Sequence, residues 1–243
     1  MTPLLDARGI AIARRLKPCD LIIDRSQMVA VIGPNGGGKT SLLRALARTE
    51  DADGIVKIDG QDLDQAGEAQ RRHLLAFLPA SREASWPVAV TDYVKFGLGV
   101  PNAARIGELI ELLELGPLAD RAMDQTSTGE RARAMLGRAI AGGARLLLLD
   151  EPLSNLDPYW VLRTMEVIQG EVTANEGAAL VSVHDLAMVP RFDRVLLVDA
   201  GRIVADGKPA AVLNSEAFKA AFRVEQSALG WTITKPAGRQ SSQ

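Results

Sequence analysis

The run Gly33-Pro34-Asn35-Gly36-Gly37-Gly38-Lys39-Thr40-Ser41 constrains this chain more than any other feature. It follows a short apolar stretch, Val29–Ile32, and opens a helix-like segment, Lys39–Ala47. Gly33, Gly38, Lys39 and Thr40 stand in the register of the phosphate-binding loop, G-x-x-x-x-G-K-[ST]. Glycines let the backbone adopt turns closed to residues with a β-carbon, so successive N–H groups face one anion. The helix that starts there adds its N-terminal partial positive charge at the same place. Lys39 is then expected to reach the β- and γ-phosphates of a nucleoside triphosphate, and the Thr40 hydroxyl to ligate Mg²⁺.

A chain of 243 residues buries one substantial core, as one domain with an insertion or as two small ones. The net charge of −2 and a pI near 5.8 argue against a nucleic-acid partner, which leaves a basic footprint. The single cysteine, Cys19, excludes an intrachain disulfide and fits a reducing compartment. The N-terminal residues lack the basic-then-apolar order of an export signal, and no apolar run approaches the ~18 residues of a membrane span. The expectation is a cytoplasmic protein; for work at a membrane, other chains must supply the spans.

Short apolar runs recur at Leu21–Ile23, Val29–Ile32, Ile55–Ile58, Leu74–Leu78, Leu146–Leu149, Leu180–Val183 and Val195–Val198. Most are continuous rather than alternating, as in strands covered on both faces. Helical patterns fall at Lys39–Ala47 and Pro158–Val172, the second introduced by Asp157 as N-cap and Pro158 at the first helical position. The interval from about Ser81 to Gly142 carries helical patterns alone, at Thr91–Leu98, Ala103–Leu113 and Gly129–Ala141. It reads as a helical insertion within an α/β core. A short helix, Glu216–Phe222, and a last strand, Trp231–Thr234, are expected after Leu213, with disorder from about Ala237.

Four leucines lead into Asp150-Glu151-Pro152, which places two carboxylates at the carboxyl end of a buried strand, where open α/β sheets hold ligands. Asp150 suits Mg²⁺, through a water, and Glu151 suits orienting or deprotonating an attacking water. Ser182-Val183-His184-Asp185 closes another apolar run. His184 is expected at the same sheet edge in contact with a γ-phosphate, with Asp185 capping a following helix. His73 lies in a charged helix-like stretch and reads as surface.

Ser127-Thr128-Gly129-Glu130-Arg131 and Ser154-Asn155-Leu156-Asp157 lie between these acids and the surrounding motifs. Together, these residues make the chain resemble the nucleotide-binding subunit of an ATP-binding-cassette (ABC) transporter, from about Leu4 to Leu213, with the motifs in family order. The resemblance implies a P-loop NTPase core with a mixed sheet and an inserted α-helical subdomain, binding ATP with Mg²⁺. It implies a single domain over residues 1–213, its core about 1–79 and 143–213 and its helical part about 80–142, followed by a tail over 214–243. It further implies an ATPase of two such subunits, identical or not, on the inner face of a membrane. Transmembrane permease subunits and an extracytoplasmic substrate-binding protein would complete the assembly.

In that family the signature segment reads Leu-Ser-Gly-Gly-Glu and caps the nucleotide of the partner subunit. Here Thr126 stands for the leucine and Thr128 for the first glycine, while Ser127, Gly129 and Glu130 match. Ser127 and Gly129 would touch the partner's γ-phosphate, and Asp157 would cross the dimer interface. A plain capped helix start at Ser127 remains open, and Asp157 can serve both as an N-cap and at the interface.

Two further departures stand out. The chain has no aromatic residue before Phe77 to stack on adenine, leaving Arg14 or Arg15 as planar substitutes. Ala80 falls where the family has a glutamine that binds Mg²⁺ and links the ATP site to the membrane partner; Ser81 and Glu83 are the nearest oxygen-bearing neighbours.

The stretch Ala84–Val94 and the segment Leu213–Val224 resemble importers of metal chelates such as ferric siderophores, haem or cobalamin. A surface loop with Trp86 packed on the insertion is the other reading of the first stretch. A slow or regulatory ATP-binding module and a soluble ABC ATPase of a non-transport machine are the alternative functions.

Overall fold

Two sheets enclose the helix that follows the glycine loop. The computed structural model describes residues 2–81, 87–227 and 230–233. The first half runs β1 (Leu5–Ile12), β2 (Leu16–Ile23), β3 (Met28–Ile32), α1 (Lys39–Ala47), β4 (Asp53–Ile58), β5 (Gln61–Asp62), α2 (Glu68–Leu74), β6 (Leu75–Leu78). Three helices follow, α3 (Val90–Lys95), α4 (Ala103–Leu112) and α5 (Thr128–Ile140). The rest comprises β7 (Leu146–Leu149), α6 (Pro158–Ala174), β8 (Ala178–Ser182), β9 (Arg194–Asp199), β10 (Arg202–Gly207), α7 (Pro209–Leu213), α8 (Glu216–Phe222), β11 (Val224–Ser227) and β12 (Gly230–Ile233).

The central sheet has the order β10-β9-β3-β8-β7-β6, parallel throughout except for β10. An antiparallel sheet, β2-β1-β4-β5, lies on the other side of α1. Alternation along the central strands divides the core. Val29, Val31, Leu146, Leu148, Ala178 and Leu180 join the cluster around α1. Their neighbours Ala30, Ile32, Leu147, Leu149, Ala179 and Val181 join the cluster beneath α5 and α6. Both faces are covered, which is why these runs are continuous in sequence. Leu42, Leu43 and Leu46 of α1 are fully buried between the sheets, each stabilising the fold by about 2 kcal/mol.

Several sequence expectations shift. Leu74 ends α2 rather than starting a strand, because the charged stretch before it is helical up to β6. Ile55–Ile58 belongs to a strand buried on one face only: Val56 and Ile58 are buried and Ile55 is exposed. The expected helix Thr91–Leu98 is the shorter α3. The strand β1 was not anticipated; its register breaks between Ala7 and Ile10 and its polar residues interrupt the apolar pattern. Edge strand β10 alternates exposed and half-buried residues and was likewise missed.

Between β6 and β7 the described residues hold α3, α4 and α5. Arg105 fixes α4 to the rest: its guanidinium lies 2.6 Å from Glu171 of α6 and donates to the Ile140 carbonyl at the end of α5. Past the boundary expected at Leu213 the chain stays on the core. Phe218 of α8 is fully buried, with the Phe222 and Trp231 rings 4.8 and 5.2 Å from it. The expected disorder from Ala237 falls outside the described residues.

Candidate functional site

Strands β3, β8 and β7 are parallel neighbours, so their carboxyl ends open on one edge of the sheet. The glycine loop leaves β3, the acid pair leaves β7 and His184 leaves β8. The loop's shape needs its glycines. Gly33, Gly36 and Gly38 have φ of 152°, 76° and 113°, and a β-carbon on Gly33 would lie 1.9 Å from the Val198 carbonyl oxygen. Gly38 is the left-handed N-cap of α1, so the helix starts directly at Lys39. Pro34 and Asn35 form the outer turn, and Gly37 N–H closes it on the Pro34 carbonyl at 3.0 Å.

Lys39 folds back on this loop, donating to the carbonyls of Gly33 at 2.9 Å and Pro34 at 3.3 Å. It is only 6% exposed. Burial lowers its pKa, and the Glu151 and Asp150 charges oppose that pull. A buried ammonium held only by carbonyl oxygens is poised to exchange them for a stronger anionic partner.

Asp150, Glu151, Ser182 and His184 form one hydrogen-bonded set. Ser182 Oγ donates to Asp150 Oδ1 at 2.6 Å and accepts from Glu151 N–H at 2.7 Å. Glu151 itself sits at φ 53°, a strained conformation for a residue with a side chain. His184 Nε2 lies 2.6 Å from Glu151 Oε1, donating to the carboxylate. Asp150 is 1% exposed, and its Oδ2 is buried without a hydrogen-bond partner. His184 is therefore at the expected sheet edge, but its neighbour in the structure is Glu151. The expectation for Asp185 needs correcting. Its carboxylate accepts from Ala187 N–H at 2.9 Å and closes a turn; no α-helix follows, because Pro190 soon forms part of a 3-10 turn, Val189–Arg191.

A cleft of about 850 Å³ runs from this edge to the turn between β1 and β2. Asn35, Gly36, Gly38, Lys39, Thr40 and Ser41 line one end with Glu151 and His184, and Ala13–Pro18 line the other. Gly201 straps the two ends together: its N–H donates to the Gly37 carbonyl and its carbonyl accepts from Lys17 N–H, both at 2.8 Å. This contact was not foreseen, although Ala200-Gly201 after an apolar run is a turn signal. Gly201 has φ 70°, and a β-carbon there would lie 2.6 Å from the Arg15 carbonyl oxygen. Gly201→Ala is expected to cost about 2 kcal/mol in urea unfolding, through backbone strain and loss of the strap.

Ser127, Thr128, Gly129, Glu130 and Asp157 do not line this cleft. Ser127 caps α5 in a capping box: its N–H donates to Glu130 Oε2 at 2.8 Å and its Oγ accepts from Glu130 N–H at 3.3 Å. The Ser127 N–H holds the Glu130 carboxyl below the usual range. Ser127 and Thr128 remain exposed at the tip. Asp157 accepts from Trp160 N–H at 3.0 Å as N-cap of α6. The two segments meet each other: a β-carbon on Gly129 would come within 3.9 Å of Asn155 and Leu156. Ala80 lies two residues past Leu78, whose carbonyl accepts from Asp150 N–H at 2.8 Å. Glu83 and Trp86 lie outside the described residues.

Residues 16–154 match the family described as ABC transporter. The chain is 32% identical over 237 residues to the cobalamin import ATP-binding protein BtuD of Halobacterium salinarum, covering 90% of this chain and 58% of that protein. It thus spans little more than half of that relative. It is 32% identical over 250 residues to the hemin import ATP-binding protein HmuV of Nocardia farcinica, covering 95% of this chain and 86% of that one. Among solved structures, an ATP-binding subunit of an ABC transporter superposes with a TM-score of 0.76 at 24% identity, over 84% of this chain and 90% of that one. That likeness concerns the fold.

Proposed function

This chain belongs to the ABC transporter family, and on that premise we propose that it is the subunit that hydrolyses ATP to drive import through separate permease subunits. The observation that carries the reading is the edge where Lys39, Glu151 and His184 line one cleft while the signature residues lie outside it. The cleft is half of a site. Ser127 and Gly129, exposed or half-exposed at the start of α5, supply the other half to a second copy, and Asp157 lies at the junction between copies.

In this reading the loop N–H groups and Lys39 hold the triphosphate, and Lys39 leaves the Gly33 and Pro34 carbonyls to do so. Glu151 takes the proton of the attacking water. His184, hydrogen-bonded to Glu151 Oε1, fixes the direction of that carboxylate and reaches the terminal phosphate. Thr40 and Asp150 fit Mg²⁺: a hard cation or its bound water satisfies the orphaned Asp150 Oδ2. Held by Thr40 and Asp150, Mg²⁺ would supply positive charge against the triphosphate. Ser182 holds Asp150 and Glu151 in their relative positions.

The transported substrate is proposed to be a metal chelate of the haem or cobalamin class, the cargo named for the relatives. The protein then works on the inner face of the membrane, with an extracytoplasmic binding protein delivering the cargo. Among the described residues no helix is long and apolar enough to cross a membrane. Affinity purification should recover a multi-span permease, and a deletion strain should lose haem or cobalamin uptake. Normal uptake of both, with no membrane partner recovered, would refute this assignment.

Ala80 adds a rate expectation. A methyl group neither coordinates Mg²⁺ nor orients water, so basal hydrolysis should be slow. Ala80→Gln is expected to raise the basal rate severalfold. An unchanged rate, with Ser81→Ala abolishing it, would place the role on the neighbour.

A further inference from the structure

We propose that Trp160 is a positioning residue for the face this chain presents to a second copy. Stacked on Arg133, it holds the start of α6 in register with the start of α5. The inference rests on the reading of Ser127, Gly129 and Asp157 as partner-facing, and adds the residue that keeps them together. Ser127 caps α5 and Asp157 caps α6, two helices from different parts of the chain. A face built from both tips is preorganised for association only if their separation is fixed beforehand.

A stacked contact joins the two helices close to these tips. The Arg133 guanidinium carbon lies 4.1 Å from the centroid of the Trp160 ring, within cation–π range. Arg133 stands six residues after Ser127 and Trp160 three after Asp157, so the stack lies within two turns of both caps. The guanidinium is itself anchored, donating to the carbonyls of Leu113 and Glu114 just past α4 at 2.8 and 2.9 Å. Burial lowers the Arg133 pKa, and the Glu130, Glu114 and Asp157 charges oppose that pull. Trp160 is half-buried and joins neither the apolar cluster around α1 nor the one beneath α5 and α6. Its ring meets Arg133 and, edge-on at 5.2 Å, Tyr159.

At its other end α6 holds α4 through Glu171 and Arg105. Trp160 and Glu171 are about 16 Å apart along the helix, so α6 grips the inserted helices at two separated points. Two such points suppress a pivot that one allows. Without the Trp160 ring, the near end keeps the Tyr159 hydroxyl on Glu114 and a 3.5 Å contact from Arg163 to the Leu112 carbonyl. The first is exposed and the second long, so neither replaces the stack.

The test uses the full-length Glu151→Gln protein, expected to bind ATP without consuming it. Light scattering over a concentration series gives its MgATP-dependent self-association, and ATP binding below that range gives the affinity of the single chain. In this protein Trp160→Ala is expected to weaken self-association about tenfold and to leave single-chain ATP binding within about twofold. Trp160→Phe keeps a ring face for the guanidinium and should restore association; Trp160→Leu is apolar without a plane and should not. The proposal is overturned if Trp160→Ala associates as tightly as its parent, if single-chain ATP binding falls by the same factor, or if Trp160→Leu restores association. Failure of the underlying reading looks different. The parent protein, with Trp160 in place, would then stay a single chain at saturating MgATP.

Discussion

Glu151→Gln is expected to lower ATP turnover by about a thousandfold while leaving ATP binding within about twofold of wild type. The amide keeps the size of the carboxylate and retains an oxygen to accept from His184 Nε2, now 2.6 Å from Oε1. It cannot take a proton from water. The φ of 53° at this residue is imposed by the chain and by the Glu151 N–H bond to Ser182, so neither depends on the side-chain charge. Folding should therefore survive the substitution. Single-turnover hydrolysis and equilibrium ATP binding separate the two effects. Hydrolysis at the wild-type rate would remove Glu151 from the role of base, and a parallel loss of binding would make it a binding residue instead.

Lys39→Ala is expected to act on the other step, weakening MgATP binding by about a hundredfold. Among the described residues, it removes the one side-chain ammonium that lines the phosphate end of the cleft. The fold itself should change little. The ammonium gives up hydrogen bonds to the Gly33 and Pro34 carbonyls, but its burial in the free protein was costly, as the lowering of its pKa indicates. These contributions oppose each other, so unfolding stability should stay within about 1 kcal/mol. Calorimetric titration with ATP, beside urea unfolding of the same sample, checks both halves. Unchanged ATP affinity would contradict the phosphate-site assignment.

The parts legible in the sequence were those with dense local signals. The glycine loop, the leucine strand β7 and the Asp157-Pro158 start of α6 each carry their geometry in consecutive residues. The helices inserted after β6 were legible as helical patterns between about Ser81 and Gly142, while the mixed sheet was implied only by the family resemblance. What was illegible depends on partners distant in the chain. The strand β1 carries Asp6, Arg8 and Gly9 between its apolar residues because its sheet is covered on one face and its register is irregular. Ser182 looked like an ordinary strand residue, yet its hydroxyl joins Asp150 to Glu151. The Gly201 strap depends on a glycine packed against the backbone of Arg15, a contact visible only once the hairpin is folded. Arg14 and Arg15 were interchangeable as letters; Glu50 distinguishes them. The exposed signature residues presented two readings, cap and partner contact, and Ser127 is observed as a cap.

In the proposed function one chain carries half a site and a second copy completes it. The molar mass of the Glu151→Gln protein, measured by light scattering with and without MgATP, tests it most directly. Bound ATP that is not consumed should hold two phosphate ends between two loop and signature faces. The predicted result is the mass of one chain without nucleotide and twice that mass with it. A single-chain mass at saturating MgATP, with nucleotide bound, would contradict the account.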